Sequence, residues 1–385
     1  MKRSQVFTNA RVVLRDQVLP RGQVQVRDGL IQDIGSSNGL ASSALAGAID
    51  LQGDWLLPGL VEIHTDNLER HVTPRPKVSF PMSGAVQAHD AEMAAAGITT
   101  VFDAIGVGDP YAEGFRANDQ SGLLQVLDRL EAAGALRVDH LIHVRCELPA
   151  GNAQALFEPF AGHPRLRLMS LMDHTPGQRQ WTDIEQARTF YTGKKGWSDA
   201  QFDDQVRQSA ERQIRHAAPN RRWFSDFAVQ SDIVLATHDD TTESHVDEAL
   251  SLGASISEFP TTLAAAQRAK ALGLSTFAGA PNVVRGRSHS GNVSALDLAR
   301  AGCLDGLSSD YVPSSLLQAA WGLMREAGHS AAEAIAVVSH RPAQACRLRD
   351  RGEIAIGLRA DLVRVRELDG VPLVREVWRG GQRVS

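Results

Sequence analysis

The sequence predicts a (β/α)8 barrel of α/β class with a small β-subdomain made from both chain ends. Three observations predict it. Eight short apolar runs alternate with helical stretches between residues 60 and 310. Those runs are continuously apolar, as parallel strands buried on both faces must be. Both ends of the chain instead carry short alternating strands bounded by turn signals such as Asp28-Gly29.

The N-terminal alternation places strands over 6–14, 23–26 and 30–34. The barrel runs follow at 60–66, 98–105, 140–147, 166–174, 232–240, 254–260, 274–281 and 304–310. Helices are expected over 85–96, 123–133, 243–252 and 262–272. Gly97, Gly134, Gly253 and Gly273 stand where a helix C′ residue needs positive φ. Residues 175–231 are too long and too charged for a usual βα connection and read as a helical insertion over the barrel mouth. The tail returns to strands over 353–365 and 374–384. The expected division is therefore 1–54 and 351–385 for the β-subdomain, and 55–350 for the barrel.

Composition narrows the function classes. The 385 residues are 43% hydrophobic, enough to bury a sizeable core. Forty Lys and Arg against 45 Asp and Glu leave a net charge of -5, so no global basic field invites nucleic acid. The start has no apolar leader and no run of 18 apolar residues exists, which predicts a cytoplasmic protein without a membrane partner. Cys146, Cys303 and Cys346 form no C-x-x-C, which argues against a disulfide framework or a cysteine zinc knuckle.

In such a barrel, chemistry sits at the C-terminal ends of the strands. Here those ends carry His64 and Asp66, Glu147, Asp173 and His174, His238 and Asp239, and Asp310. Imidazoles and carboxylates from five strands converging on one rim suit one or two divalent cations of N/O preference, with Zn, Mn or Fe all acceptable. His64 and Asp66, two apart on a strand, point to the same side. The remaining histidines have ordinary readings. His89, His163, His216 and His329 fall on helices or loops, His140 and His143 lie in a strand, and His245 sits on a solvated helix.

The run LLPGLVEIHTD, the flanking β-subdomain and the tail GLRADLV together resemble the amidohydrolase superfamily over essentially the whole chain. The superfamily usually has His-x-His where this chain has His64-Thr65-Asp66. Binuclear members often bridge their metals with a carboxylated lysine. No lysine here ends a strand, and the resemblance then places Glu147 in the bridge. It implies two metal ions that share a hydroxide and are held by His64, Asp66, His174 and His238. Asp310 also joins the metal site, orienting the nucleophile and taking its proton.

More specific stretches are HTDNLERHVTPRP, VFDAIGVGD, SEFPTTLAAA, GAPNVVRGRSHSGNVSA and SSDYVPSSLL. They resemble the branch that cleaves ribosyl triphosphates in phosphonate breakdown, on the carbon–phosphorus lyase pathway. The implied reaction is metal-dependent hydrolysis of α-D-ribose 1-methylphosphonate 5-triphosphate to 5-phospho-α-D-ribose 1-methylphosphonate and pyrophosphate. The residues support a phosphorylated substrate in part. The seventh loop carries Arg285, Arg287 and His289, and the eighth runs through Pro313 and Ser314 into a helix. The first loop adds Arg75 and Lys77, and the insertion Arg179, Lys194 and Lys195. Glu258 is either a supporting carboxylate or a bystander beside a helix cap. Two rivals remain on sequence alone: a cyclic-amide hydrolase or deaminase on the same site, and a metal-free structural relative. A homodimer is compatible with the sequence, which does not determine it.

Overall fold

A computed structural model describes residues 4–36, 47–75, 78–108, 121–179, 184–195 and 197–286, and then 292–385. The chain opens with β1 (Ser4–Val13), β2 (Val18–Arg27), β3 (Leu30–Ser36), β4 (Ile49–Asp50) and β5 (Trp55–Pro58). Eight barrel strands follow: β6 (Leu60–Thr65), β7 (Ile98–Val107), β8 (Asp139–Glu147), β9 (Leu166–Met172), β10 (Val234–His238), β11 (Ile256–Glu258), β12 (Ser275–Gly279) and β13 (Gly306–Ser308). They pair in sequence order and in parallel, each matching an apolar run read from the sequence, with β7 running two residues past its run and β8 starting one residue before. The ring closes where Thr65 bridges Asp310 between β6 and the end of β13.

The barrel centre is filled by Val61, Ile63, Phe102, Leu168, Val234, Ala236, Ile256 and Phe277. Gly306 is required there, because a Cβ would stand 2.0 Å from the Phe277 ring. Ala343 and Cys346 join the same cluster from the far end of the chain. Helix Met82–Ala95 ends in Gly97 at φ +86°, as the sequence requires.

Strands β14 (Leu362–Leu368), β15 (Val371–Arg379) and β16 (Gln382–Arg383) return to the first sheet, in the order β16-β15-β14-β5-β1-β2-β3. Both chain ends therefore build one sheet. The tail strand begins later than expected: residues 353–361 form turns, with Gly357 at φ +87° and Ile356 exposed. Asp139, at the start of β8, ties this sheet to the barrel by accepting from Arg351, Arg359 and Arg379.

Beyond a loop over 173–179, the stretch after β9 holds helices Ile184–Lys195, Asp199–Arg212 and Ala218–Gln230, the last two joined by a π-helical turn over Gln213–Ala217. The last of these packs on β9 and β10 as an ordinary barrel helix. The first two enclose a small core of their own around Ala187 and Phe202.

Candidate metal centre and active site

Four strand ends bring His64, His174, His238 and Asp310 to the wall of one cavity, with Arg145, Asp239, Phe259, Arg285 and Tyr311. The local backbone explains how. Asp239, Phe259 and Asp310 each follow a strand end and adopt φ near +55°: +58°, +53° and +56°. A left-handed residue there reverses the chain and turns neighbouring side chains onto the rim. Asp tolerates this conformation, whereas for Phe259 it is strained, as is common at functional sites. Phe259 is held between the rings of His64 and His238, at 5.0 and 5.1 Å.

Asp310 is fixed by the backbone. Its N–H donates to the His64 carbonyl (3.1 Å), and its carbonyl accepts from the Asp66 N–H (2.8 Å) and the Thr65 hydroxyl (2.9 Å). Burial, reinforced by the like charge of Asp66, raises its carboxyl to about 6. Beneath lies Glu62, fully buried, whose two oxygens accept from the backbone N–H groups of His64 (2.7 Å) and Ser309 (2.6 Å). Glu62 thereby locks the first and eighth strands together. Burial raises its carboxyl to about 8.

Two triads of potential ligand atoms meet at the rim: His64, His238 and Glu258, and His174, His238 and Asp239. His64 Nδ1 lies 3.2 Å from Glu258 Oε1, and His238 Nδ1 lies 2.8 Å from Asp239 Oδ2. Glu258 Oε2 is buried with no hydrogen-bond partner among the described residues. An unpartnered buried carboxylate oxygen among imidazoles is costly on its own and is relieved by a cation, so these residues fit a divalent ion. His143, whose Nδ1 faces the Ile63 carbonyl and Nε2 the Ser170 hydroxyl (both 2.9 Å), closes the floor. Burial drives its pKa down to about 3, so it stays neutral.

The other predicted residues divide. Glu147 is not grouped with the triads. Its oxygens hold His174 by the ring Nδ1 (2.6 Å) and the backbone N–H (3.1 Å). Asp66 faces Arg145, whose Nη1 lies 2.7 and 2.9 Å from its two oxygens. Arg285 lines the mouth and is exposed. Ser314 is an exposed N-cap residue without a side-chain capping bond, and Pro313 stands before the cap instead of at N1. Arg75 is exposed in a short bridge with Val78. Lys77, Arg287 and His289 lie outside the described residues, and so do the side chains of Lys194 and Lys195. Arg179, expected among the cations of the mouth, is instead buried on Asp240 (2.5 Å) and the His238 carbonyl (3.1 Å). An ion pair with a fully buried carboxylate outcompetes solvent for that guanidinium.

Arg145 is the residue that the sequence reading missed. Its signal was present: His143, Arg145 and Glu147 are spaced by two in β8, so polar side chains line one face of a strand that otherwise looks uniformly apolar. Glu258 and Asp239 also carry more weight than expected.

A third group lies outside the ring. Asp103 accepts from His89 Nε2 (2.7 Å) and faces His140 Nδ1 (2.8 Å), and His140 Nε2 is 3.4 Å from Asp90. His89 is fully buried here, not at the surface. Asn67 gives its amide to His89 Nδ1 (3.1 Å) and Glu92 (2.8 Å), so this group is satisfied by its own hydrogen bonds.

Barrel and terminal sheet together give a fold seen in solved amidohydrolases and deaminases, and the rim gathers imidazoles and carboxylates that could hold a metal ion. The fold is shared with 5-methylcytosine deaminase from Klebsiella pneumoniae (TM-score 0.65, 16% identity, covering 99% of this chain and 98% of that one). It is also shared with N-acetyl-D-glucosamine-6-phosphate deacetylase from Mycobacterium smegmatis (0.63, 14%, 99% of both chains). No family model matches the sequence. A much nearer relative is the α-D-ribose 1-methylphosphonate 5-triphosphate diphosphatase of Escherichia coli (strain K12), 42% identical over 381 residues, 98% of this chain and all of that one. The chain belongs to that diphosphatase family. Among the described residues no helix is long and apolar enough to cross a membrane.

Proposed function

We propose that the chain is a metal-dependent phosphoanhydride hydrolase of phosphonate catabolism. It converts α-D-ribose 1-methylphosphonate 5-triphosphate to 5-phospho-α-D-ribose 1-methylphosphonate and pyrophosphate. The observation that carries the reading is the full-length identity to the E. coli diphosphatase. The rim of imidazoles and carboxylates, with Arg145 and Arg285 in the same cavity, supports it.

One of the two triads that share His238, with His64 and Glu258 or with His174 and Asp239, would hold the cation; the N/O set accepts Zn, Mn or Fe. A divalent ion bound there polarises a phosphoryl oxygen and makes water a nucleophile near neutral pH. Glu147 fixes the His174 ring from behind, and Glu258 orients His64 through Oε1 while its Oε2 remains unpartnered among the described residues. Asp310 takes the proton of the attacking water at its carboxylate; its main-chain ties to β6 keep it on the rim. Arg285, at the mouth, meets the outer phosphates, whose developing charge must be neutralised as pyrophosphate leaves.

The nucleophile then attacks the phosphorus nearest the ribose. Turnover in ¹⁸O-labelled water should put the label in the ribose-bound phosphate. Label in pyrophosphate, or orthophosphate as first product, would refute the assigned bond. A panel of the ribosyl triphosphate, ATP and dihydroorotate tests the substrate class. Preference for dihydroorotate would favour the cyclic-amide reading.

A further inference from the structure

The position of Arg145 asks for an explanation. Its side chain is 6% exposed, yet it lines the cavity that holds His64, His174, His238 and Asp310. Nη1 is spent on Asp66. Nε is buried with no hydrogen-bond partner among the described residues. A buried guanidinium with an idle donor is expensive unless an anion is meant to meet it. Its charge also reaches Glu147, His174, Asp239, Glu258 and Asp310, so it lies at the electrostatic centre of the rim.

The ligand geometry points the same way. Both triads contain His238, and a neutral imidazole has one lone pair to give to a metal. Asp66, which the His-x-Asp spacing offers as a ligand, has both oxygens engaged by a cation already. A second divalent ion beside Asp66 would face the guanidinium at close range. A triphosphate entering a rim of carboxylates still needs more positive charge than one ion provides.

From these facts, and resting on the triphosphate reading above, we propose that Arg145, clamped by Asp66, binds the phosphoryl group under attack and takes the place of a second metal ion. The planar guanidinium suits the task, since it offers donors in a fixed fork to phosphoryl oxygens and cannot lose its charge. Asp66 is then a positioning residue: it aims the fork and does not ligate metal.

The test combines metal content, ligand binding and kinetics. Wild-type protein, loaded with excess Zn or Mn and desalted, should retain one tightly bound ion per chain by elemental analysis. Arg145→Gln should keep that ion. It should lose affinity for tripolyphosphate in calorimetric titration, and lose kcat on the ribosyl triphosphate, each on the order of 10²-fold. Arg145→Lys should recover part of the binding but little of kcat, because a point charge lacks the fork. Asp66→Asn should keep the ion and lower kcat more than it raises KM. Two tightly bound ions in the wild type would overturn the proposal even if no variant folds. So would loss of the ion in Asp66→Asn, or unchanged tripolyphosphate affinity in Arg145→Gln. The substrate assignment fails separately, when loaded wild type leaves the ribosyl triphosphate intact; the tripolyphosphate and metal readings still decide the role of Arg145.

Discussion

Raising the pH should remove a definite part of this protein's stability through His140. The ring is fully buried between β8 and helix Met82–Ala95, with Asp103 on one nitrogen and Asp90 on the other. His89, on the other side of Asp103, meets it through Nε2 and takes the Asn67 amide at Nδ1. His140 faces two carboxylates, Asp103 and Asp90, and these stabilise a positive charge on its ring. Burial opposes that charge, but the two carboxylates outweigh it and raise the pKa from 6.5 to about 9. A group whose folded pKa is raised stabilises fully below its unfolded pKa and loses that contribution as pH climbs through the folded one. The window is thus pH 6.5 to 9, and the shift corresponds to about 3 kcal/mol. Denaturant unfolding of wild type and His140→Gln, at intervals from pH 6 to pH 10, isolates the effect. The wild type should lose up to about 3 kcal/mol relative to the variant across that window. Parallel pH profiles for the two proteins would refute the assignment of the charge to His140.

Other perturbations read the site directly. Glu258→Gln keeps an acceptor for His64 but removes the buried negative charge. Metal affinity should fall roughly 10- to 100-fold, measured by competition with a chelator; unchanged affinity would exclude Glu258 from the ligand set. Asp310→Asn should lower kcat by about 10²-fold or more while most metal stays bound, and normal turnover would remove it as the proton acceptor. Arg285→Ala should raise KM on the order of tenfold with metal content unchanged, because the residue is exposed at the mouth. Asp139→Asn removes the negative charge that Arg351, Arg359 and Arg379 share and should cost about 2–3 kcal/mol, seen as a lower melting temperature with unchanged metal content.

Much of this architecture is legible because both of its signals are local. A strand buried on both faces is an apolar run wherever it sits, so all eight barrel strands could be placed from sequence. The rim histidines stand at the ends of those runs, and chain direction alone delivers them to one face. What resisted reading is pairing, which depends on residues far apart in sequence. Asp66 looks like a ligand beside His64, yet its partner Arg145 lies 79 positions away. Glu147 looks like a bridge from its place at a strand end, and nothing local announces that both of its oxygens meet His174, 27 positions on. Arg179 looks like a free cation of the mouth until Asp240 claims it. In each case the residue type announced a charge, and only the fold decided which opposite charge it met. The same logic explains why Arg145 went unnoticed: within HLIHVRCE its alternation with His143 and Glu147 is hidden, because the outward residues between them are as apolar as the strand's neighbours. In a parallel barrel the outer face is covered by helices and is mostly apolar, with His140 and its carboxylate partners the exception on β8, so polar side chains repeating at every second position face the barrel interior. Period-two polarity inside an apolar run is therefore the sequence mark of a site-lining strand, and β8 carries it over His143, Arg145 and Glu147.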